Sequence, residues 1–235
     1  MSEFERVLEQ GREAQRRFPE LGLVAVGGTA AALHCHHRVS LDVDLVTLHL
    51  RERYAEVKAA VERWEGWTTA RVNPPVLILG RRYGVDLGLR QQRRCVPLLT
   101  ADVLGLRVPT REETLRVKAF LLVERRATRD FVDVAALSRE MGEAAAVKSL
   151  GYLNAVYPVS GTQTLATRFA ESCQAEPLDL AEVPLASYKG LKHPFTEWPY
   201  VAEACRRLGR ELAKLELTNA IPTVLDEGFY LQLRK

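Results

Sequence analysis

The sequence predicts an α/β (α+β) fold, with a mixed-sheet core in the first half and a mostly helical second half. Three observations carry this. Short β-like apolar runs at residues 23–26, 43–48, 76–79 and 85–89 alternate with helical segments as far as about residue 90. Beyond residue 109 the apolar residues recur at helical spacing instead. The join falls near Pro109 and divides the 235 residues into 1–109 and 110–235.

Each element has a local reason. Residues 2–18 space Phe4, Val7, Leu8, Ala14 and Phe18 on one helical face, and Pro19 and Gly22 stop them. The run 23–26 is a short buried-type strand. Gly27 and Gly28 form a turn, and Thr29 caps a short helix reaching about His37. Residues 43–48 read as a strand. Residues 51–64 read as a helix with Tyr54, Val57, Val61 and Trp64 on one face and Gly66 as its stop. The runs 76–79 and 85–89 form a hairpin whose turn is Gly80, Arg81, Arg82, Tyr83 and Gly84. Thr110 with Glu113 makes a capping box before the apolar run 115–123. Helices follow at 128–138, 143–157 (ended by Pro158), 162–173 and 200–215. The proline-rich stretch 177–199 is irregular, and Phe229, Leu231 and Leu233 alternate weakly.

Composition excludes several classes. Hydrophobic residues are 47% and charged residues 27%, ordinary for a globular chain. No apolar run approaches membrane-spanning length, and charge begins at Glu3, so the expectation is a cytoplasmic protein with no membrane partner. Cys35, Cys95, Cys173 and Cys205 form no CxxC pair and read as free thiols. A net charge of +3 permits an acidic partner without demanding one.

The stretch GGTAAALHCHHRVSLDVDL, residues 27–45, carries the chemistry. Side chains two apart on a strand share a face, so Asp42 and Asp44 project together while Val43 points into the core. Two adjacent carboxylates repel unless a cation or proton lies between them. Mg2+, with Mn2+ as the alternative, suits such a pair, because it takes oxygen ligands from one or two carboxylates plus substrate phosphates. Gly27, Gly28 and Thr29 at a helix N-terminus offer backbone N–H groups, the helix dipole and a hydroxyl to a phosphate. Together these describe a nucleoside triphosphate (NTP) beside a metal-binding pair. The run His34, Cys35, His36, His37 does not describe zinc, since consecutive helical residues point about 100° apart. It reads as a helix end with partly exposed histidines and a packed Cys35.

The glycine pair, a spacer of about ten residues and DxD resemble the DNA polymerase β-type nucleotidyltransferase superfamily. The fuller string is similar to the AbiEii/AbiGii-type nucleotidyltransferase toxins, matching at Gly27, Gly28, Thr29, His37, Arg38, Ser40, Asp42 and Asp44. The segment 113–137 resembles the same family's second region, a helical lysine (Lys118) followed by R-D-x-x-D (Arg129, Asp130, Asp133).

The resemblance implies a polymerase β-like nucleotidyltransferase core over 1–109, with a helical region over 110–235 completing the active-site cleft. It implies Asp42 and Asp44 as metal ligands and catalytic residues. Gly27, Gly28, Thr29, Arg38, Ser40 and Lys118 would bind the nucleotide. Lys118, Asp130 and Asp133 would join the catalytic set, Asp133 slightly favoured over Asp130 for a direct role. Arg38 either orients an anion or forms a structural salt bridge. Asp130 and Asp133 either hold Lys118, bind metal indirectly, position the acceptor, or only complement the dipole at a helix N-terminus. Asp86, an inward-type residue between Val85 and Leu87, is either a third catalytic carboxylate or a partner of Arg90.

The activity implied is transfer of a nucleotide from an NTP to the tRNA 3′ end by a toxin that has a cognate antitoxin, with no DNA partner. Arginines 81, 82, 90, 93, 94, 107 and 111 form either an RNA-tracking patch or a solvated surface. The alternatives are a small-molecule or protein nucleotidyltransferase, and a non-catalytic, antitoxin-like binding protein of the same fold.

Overall fold

The structure, a computed structural model, describes residues 2–94, 96–157, 162–218 and 220–222. The chain forms two compact units, Met1–Leu33 with Ser40–Pro109, and His34–Val39 with Thr110–Lys235. The six residues 34–39, within the stretch 1–109, belong with the helical unit.

In the first unit, helix α1 (Glu3–Arg17) starts at a reciprocal capping box: Ser2 Oγ accepts from the Glu5 N–H, and the Glu5 carboxylate accepts from the Ser2 N–H. It buries Val7, Leu8 and Ala14 and ends at Phe18, where Pro19 and the left-handed Gly22 turn the chain into β1 (Val24–Val26). Helix α2 (Gly27–Cys35) follows, then β2 (Asp42–Thr47), α3 (Tyr54–Glu62), β3 (Trp67–Asn73), β4 (Leu77–Arg82) and β5 (Val85–Gln91). The sheet order is β1-β2-β5-β4-β3. β2 and β5 run parallel and the other neighbours antiparallel, so the sheet is mixed, as expected. On β2, Val43, Leu45 and Thr47 are buried, which turns Asp42 and Asp44 to the opposite face.

Two strand readings need correction. The hairpin turn is Tyr83–Gly84 alone, both at positive φ; Gly80, Arg81 and Arg82 continue β4. The charge of Arg82 hid the strand, yet Arg82 is buried. Its guanidinium lies 4.2 Å from the Trp64 ring and 4.5 Å from the Tyr83 ring, and it bonds Glu13, Gln10 Oε1 (2.7 Å) and the Glu65 carbonyl (2.9 Å). The sequence reading also lacks the edge strand β3 and the ribbon β6 (Thr100–Val103) with β7 (Leu106–Pro109). No position of β3 is fully buried, so the strand has no need of an apolar period and shows none.

The helical unit contains α4 (Arg111–Arg125), α5 (Thr128–Met141), α6 (Glu143–Leu150), α7 (Leu153–Val156), α8 (Leu165–Ser172) and α9 (Trp198–Leu217). Thr110 caps α4, its hydroxyl accepting from the Glu113 N–H. The single helix expected over 143–157 is broken at Gly151 and Tyr152, where a glycine makes continuation unfavourable. The irregular stretch 177–199 contains one 3-10 turn and ends in the start of α9. It fixes the start of α5, because Asp179 Oδ1 accepts from both the N–H (2.6 Å) and the hydroxyl (2.7 Å) of Thr128. Pro158, Cys95 and the alternation of Phe229, Leu231 and Leu233 lie outside the described residues. Among the described residues no helix is long and apolar enough to cross a membrane.

Arg82→Ala should destabilise the first unit by about 2–3 kcal/mol, because it strands Glu13 and Gln10 and empties the aromatic sandwich. Arg82→Lys should recover only part of this, since an ammonium cannot stack on both rings. Urea denaturation of the full chain measures both.

Candidate active site

The site begins where β1 ends. Gly27 has φ +73°, a conformation that a side chain would strain, and α2 starts at this residue rather than after Thr29. Thr29 is buried, and its hydroxyl donates to the Asp42 carbonyl at 2.5 Å. The expectation that Thr29 caps the helix and offers its hydroxyl to a phosphate is therefore corrected. That hydroxyl ties the first turn of α2 to the start of β2. What the turn has for an anion is the backbone N–H groups of a helix N-terminus.

Asp42 and Asp44 stand on the sheet face away from the core. Ser40 Oγ donates to Asp42 Oδ1 at 3.0 Å, and Arg90 Nε donates to Asp44 Oδ1 at 2.8 Å. Gly88 lies opposite Asp44 in the β2–β5 register. A Cβ there would collide with Asp44 Oδ1, so only glycine leaves the carboxylate its position. On the other side, a Cβ on Gly27 would come within 3.6 Å of Asp44 Oδ2. Asp44 thus sits in a cradle of two glycines with one oxygen held by Arg90.

Asp86 is the register partner of Asp42 and shares its face. Its expected inward orientation is corrected: Val85, Leu87 and Leu89 take the core face, and the Asp86 side chain is 61% exposed. Its partner is Arg81 (Nε to Oδ1 2.8 Å, Nη2 to Oδ2 3.3 Å), not Arg90.

The donor set fits a hard cation. Asp42 and Asp44 each keep Oδ2 clear of hydrogen bonds to described residues. Among the described residues no group of three or more His, Cys, Asp or Glu is disposed to hold a metal. A two-carboxylate site suits Mg2+, which completes its shell from water and substrate phosphates, and does not suit zinc. The histidine run diverges: His34 and His37 are buried, and His36 is exposed with φ +51°. The Cys35 thiol is pushed up to about 12, first by burial and then by the charges of Asp133 and Glu140, so it is no thiolate ligand.

A second cluster lies wholly within the helical unit. Asp133 on α5 is fully buried and accepts from His37 Nε2 (2.8 Å), from Arg38 Nε (2.8 Å) and Nη2 (2.9 Å), and from Lys118 Nζ (2.6 Å). Lys118 also reaches Asp130 Oδ1 at 3.2 Å, and Asp130 accepts two bonds from Arg125. Burial would push the Asp133 carboxyl up. The charges of Arg38 and Lys118, with the His37 and Arg38 hydrogen bonds, overcome this and hold it well below the usual carboxylate range.

The structure bears on three readings here. His37 is buried rather than partly exposed. Arg38 forms the structural salt bridge, gripping Asp133 through two nitrogens. Lys118 is 1% exposed and lies between Asp130 and Asp133, the arrangement of the alternative in which these two carboxylates hold it. The arginines do not make one basic row either. Arg82 and Arg94 are buried, while Arg81, Arg90 and Arg111 pair with Asp86, Asp44 and Glu140. The sequence reading missed Gly88; the period-two string Asp86, Gly88, Arg90 was its signal.

No protein-family model and no curated protein matches the chain. Solved structures do. The fold is similar to that of JHP933 from Helicobacter pylori, at 16% identity and a TM-score of 0.53, over 94% of this chain and 96% of that one. More distant are the antibiotic-resistance factor ANT(2'')-Ia (17% identity, 63% of this chain and 91% of that one, TM-score 0.46) and an antigenic nucleotidyltransferase-like protein from Paracoccidioides brasiliensis (18%, 79% and 94%, TM-score 0.43). The first shows the fold, a mixed α/β core with a helical second half; the other two add nothing to that.

Asp133→Ala should cost about 3–5 kcal/mol, because it removes the buried carboxylate that Arg38 and Lys118 share and leaves Lys118 only Asp130. The stability that the Asp133 charge contributes is present above the ordinary aspartate value of about 4 and is lost as pH falls through the lower folded value. Acid unfolding followed by circular dichroism should therefore show a limb below about pH 4 that Asp133→Asn diminishes. Gly88→Ala should leave that limb intact and displace Asp44, weakening Mn2+ binding measured by electron paramagnetic resonance.

Proposed function

We propose that this chain is a metal-dependent nucleotidyltransferase with an NTP as co-substrate. The observation that carries the reading is the pair Asp42 and Asp44, side by side on one strand face, next to the left-handed Gly27 turn and cleared by Gly88. In the reaction an acceptor oxygen forms a bond to the α-phosphorus, the bond from that phosphorus to the bridging oxygen of pyrophosphate breaks, and the acceptor loses its proton.

Asp42 and Asp44 would hold Mg2+, which when bound supplies positive charge at the reacting phosphate. Ser40 orients Asp42 and Arg90 orients Asp44. The N–H groups of Gly27, Gly28 and Thr29 would receive phosphate oxygens. Of Asp86, Asp130 and Asp133, Asp86 is the exposed one and shares the face of Asp42, which supports it as the acceptor's proton-taking group. Lys118, Asp130 and Asp133 act by position: through Asp133 they fix His37 and Arg38, in the segment that joins α2 to β2.

The acceptor is proposed on the resemblance to AbiEii/AbiGii-type toxins alone: the tRNA 3′ end, with a cognate antitoxin as the protein's partner. The test is incubation with each α-32P-labelled NTP, Mg2+ and total tRNA. Label should move onto tRNA, and Asp44→Ala should lower the rate by about 10²-fold or more. Label on a low-mass product or on protein would keep nucleotidyl transfer and discard tRNA. No labelled product with any acceptor would discard the enzyme reading.

A further inference from the structure

A triphosphate needs more positive charge than one metal ion supplies, and the cations that the sequence offers for it are engaged elsewhere. Lys118 is buried between Asp130 and Asp133. Arg38 gives both Nε and Nη2 to Asp133, and Arg81 gives the same two groups to Asp86. Arg82 is buried against Glu13, Gln10 and the Glu65 carbonyl.

Arg90 differs. It gives only Nε, to Asp44 Oδ1 at 2.8 Å, and its two terminal NH2 groups donate to no described residue. Its side chain is 41% exposed on the face that bears Asp42, Asp44 and Asp86. It reaches Asp44 diagonally across Gly88, where a Cβ would stand 3.6 Å from Arg90 Nε. The guanidinium is therefore fixed at one edge by the metal-site carboxylate while its other edge is open. An open edge of this kind matches the oxygens of a phosphate, which a guanidinium takes through two parallel N–H bonds.

We propose that Arg90 binds the triphosphate of the incoming nucleotide, oriented for it by Asp44. This rests on the nucleotidyl-transfer reading and assigns that site's phosphate-binding cation to Arg90 in place of Lys118. The arrangement couples the two ligands. Asp44 keeps Oδ2 for the metal, and the bond from Arg90 offsets its charge until the metal and nucleotide arrive.

The test is isothermal titration calorimetry of the full chain in Mg2+ with each of the four NTPs and with inorganic triphosphate, which has no base or sugar. Arg90→Gln should weaken both inorganic triphosphate and the bound NTP by about tenfold or more, and to a similar degree, since the lost contact is to phosphate. Arg90→Lys should fall between, keeping charge without the fork. Arg63→Gln, at an exposed arginine of the same unit, should bind as wild type does. Circular dichroism of each variant checks folding. Wild-type affinity in Arg90→Gln, together with loss of binding in Asp44→Asn, would overturn the assignment and leave nucleotidyl transfer standing, with Arg90 reduced to a counter-ion. Wild-type protein that binds no NTP would remove the nucleotidyl-transfer reading and the assignment with it.

Discussion

Two like charges held side by side are the constraint on which the candidate site depends. β2 must bury Val43 and Leu45, and a strand that does so has no choice but to put Asp42 and Asp44 on the same side. Their repulsion is the cost of that register, and the surrounding residues are arranged to lower it. Ser40 donates to one carboxylate, Arg90 donates to the other, and Gly88 gives up a side chain so that Asp44 can stand upright opposite it. One oxygen of each carboxylate stays clear of hydrogen bonds to described residues. A sheet arranged only for stability would place an apolar or neutral residue at one of these positions.

The buried cluster around Asp133 solves a different problem by similar means. A lone buried lysine would be costly, and so would a lone aspartate. Here Lys118 and Arg38 face Asp133, Arg125 and Lys118 face Asp130, and His37 adds a further hydrogen bond to Asp133. The result fixes His37 and Arg38, the middle of the short segment that leaves α2 and enters β2. Because that segment packs with the helical unit, its covalent ends connect the glycine turn and the carboxylate strand to residues far away in sequence. The backbone bonds from Val39 to Lys189 and from Lys192 to His37 secure it from the irregular stretch as well.

The sequence was most readable where one physical rule acts alone. Alternation of Asp42, Val43, Asp44 and Leu45 sufficed to place the carboxylates, and spacing sufficed for α1, α3 and most of the helical half. Readings failed where a polar residue does an apolar residue's job. Arg82 looks like a turn residue because its stacking on Trp64 and Tyr83 has no sequence signature. β3 lies at the sheet edge and carries no clear alternation. The residues around Lys118 failed for a further reason. A lysine on an apolar helix face implies a buried anion, but a sequence does not say whether the anion is a ligand or the chain's own Asp130 and Asp133.

That last distinction bears on the chemistry. A general base works best when its affinity for a proton is near the operating pH. Asp133 is held well below that by Arg38 and Lys118, and all of its hydrogen bonds come from donors within the cluster. A carboxylate so stabilised in its charged form is a poor proton acceptor, however close it lies to an acidic-motif signature. Its strength as an anchor and its weakness as a base have the same cause. If an acid of this chain takes the acceptor's proton, it has to be one whose charge is less firmly held and which solvent can reach. Of Asp86, Asp130 and Asp133, only Asp86, on the open face beside Asp42, meets the second condition, and its partner Arg81 is itself 61% exposed.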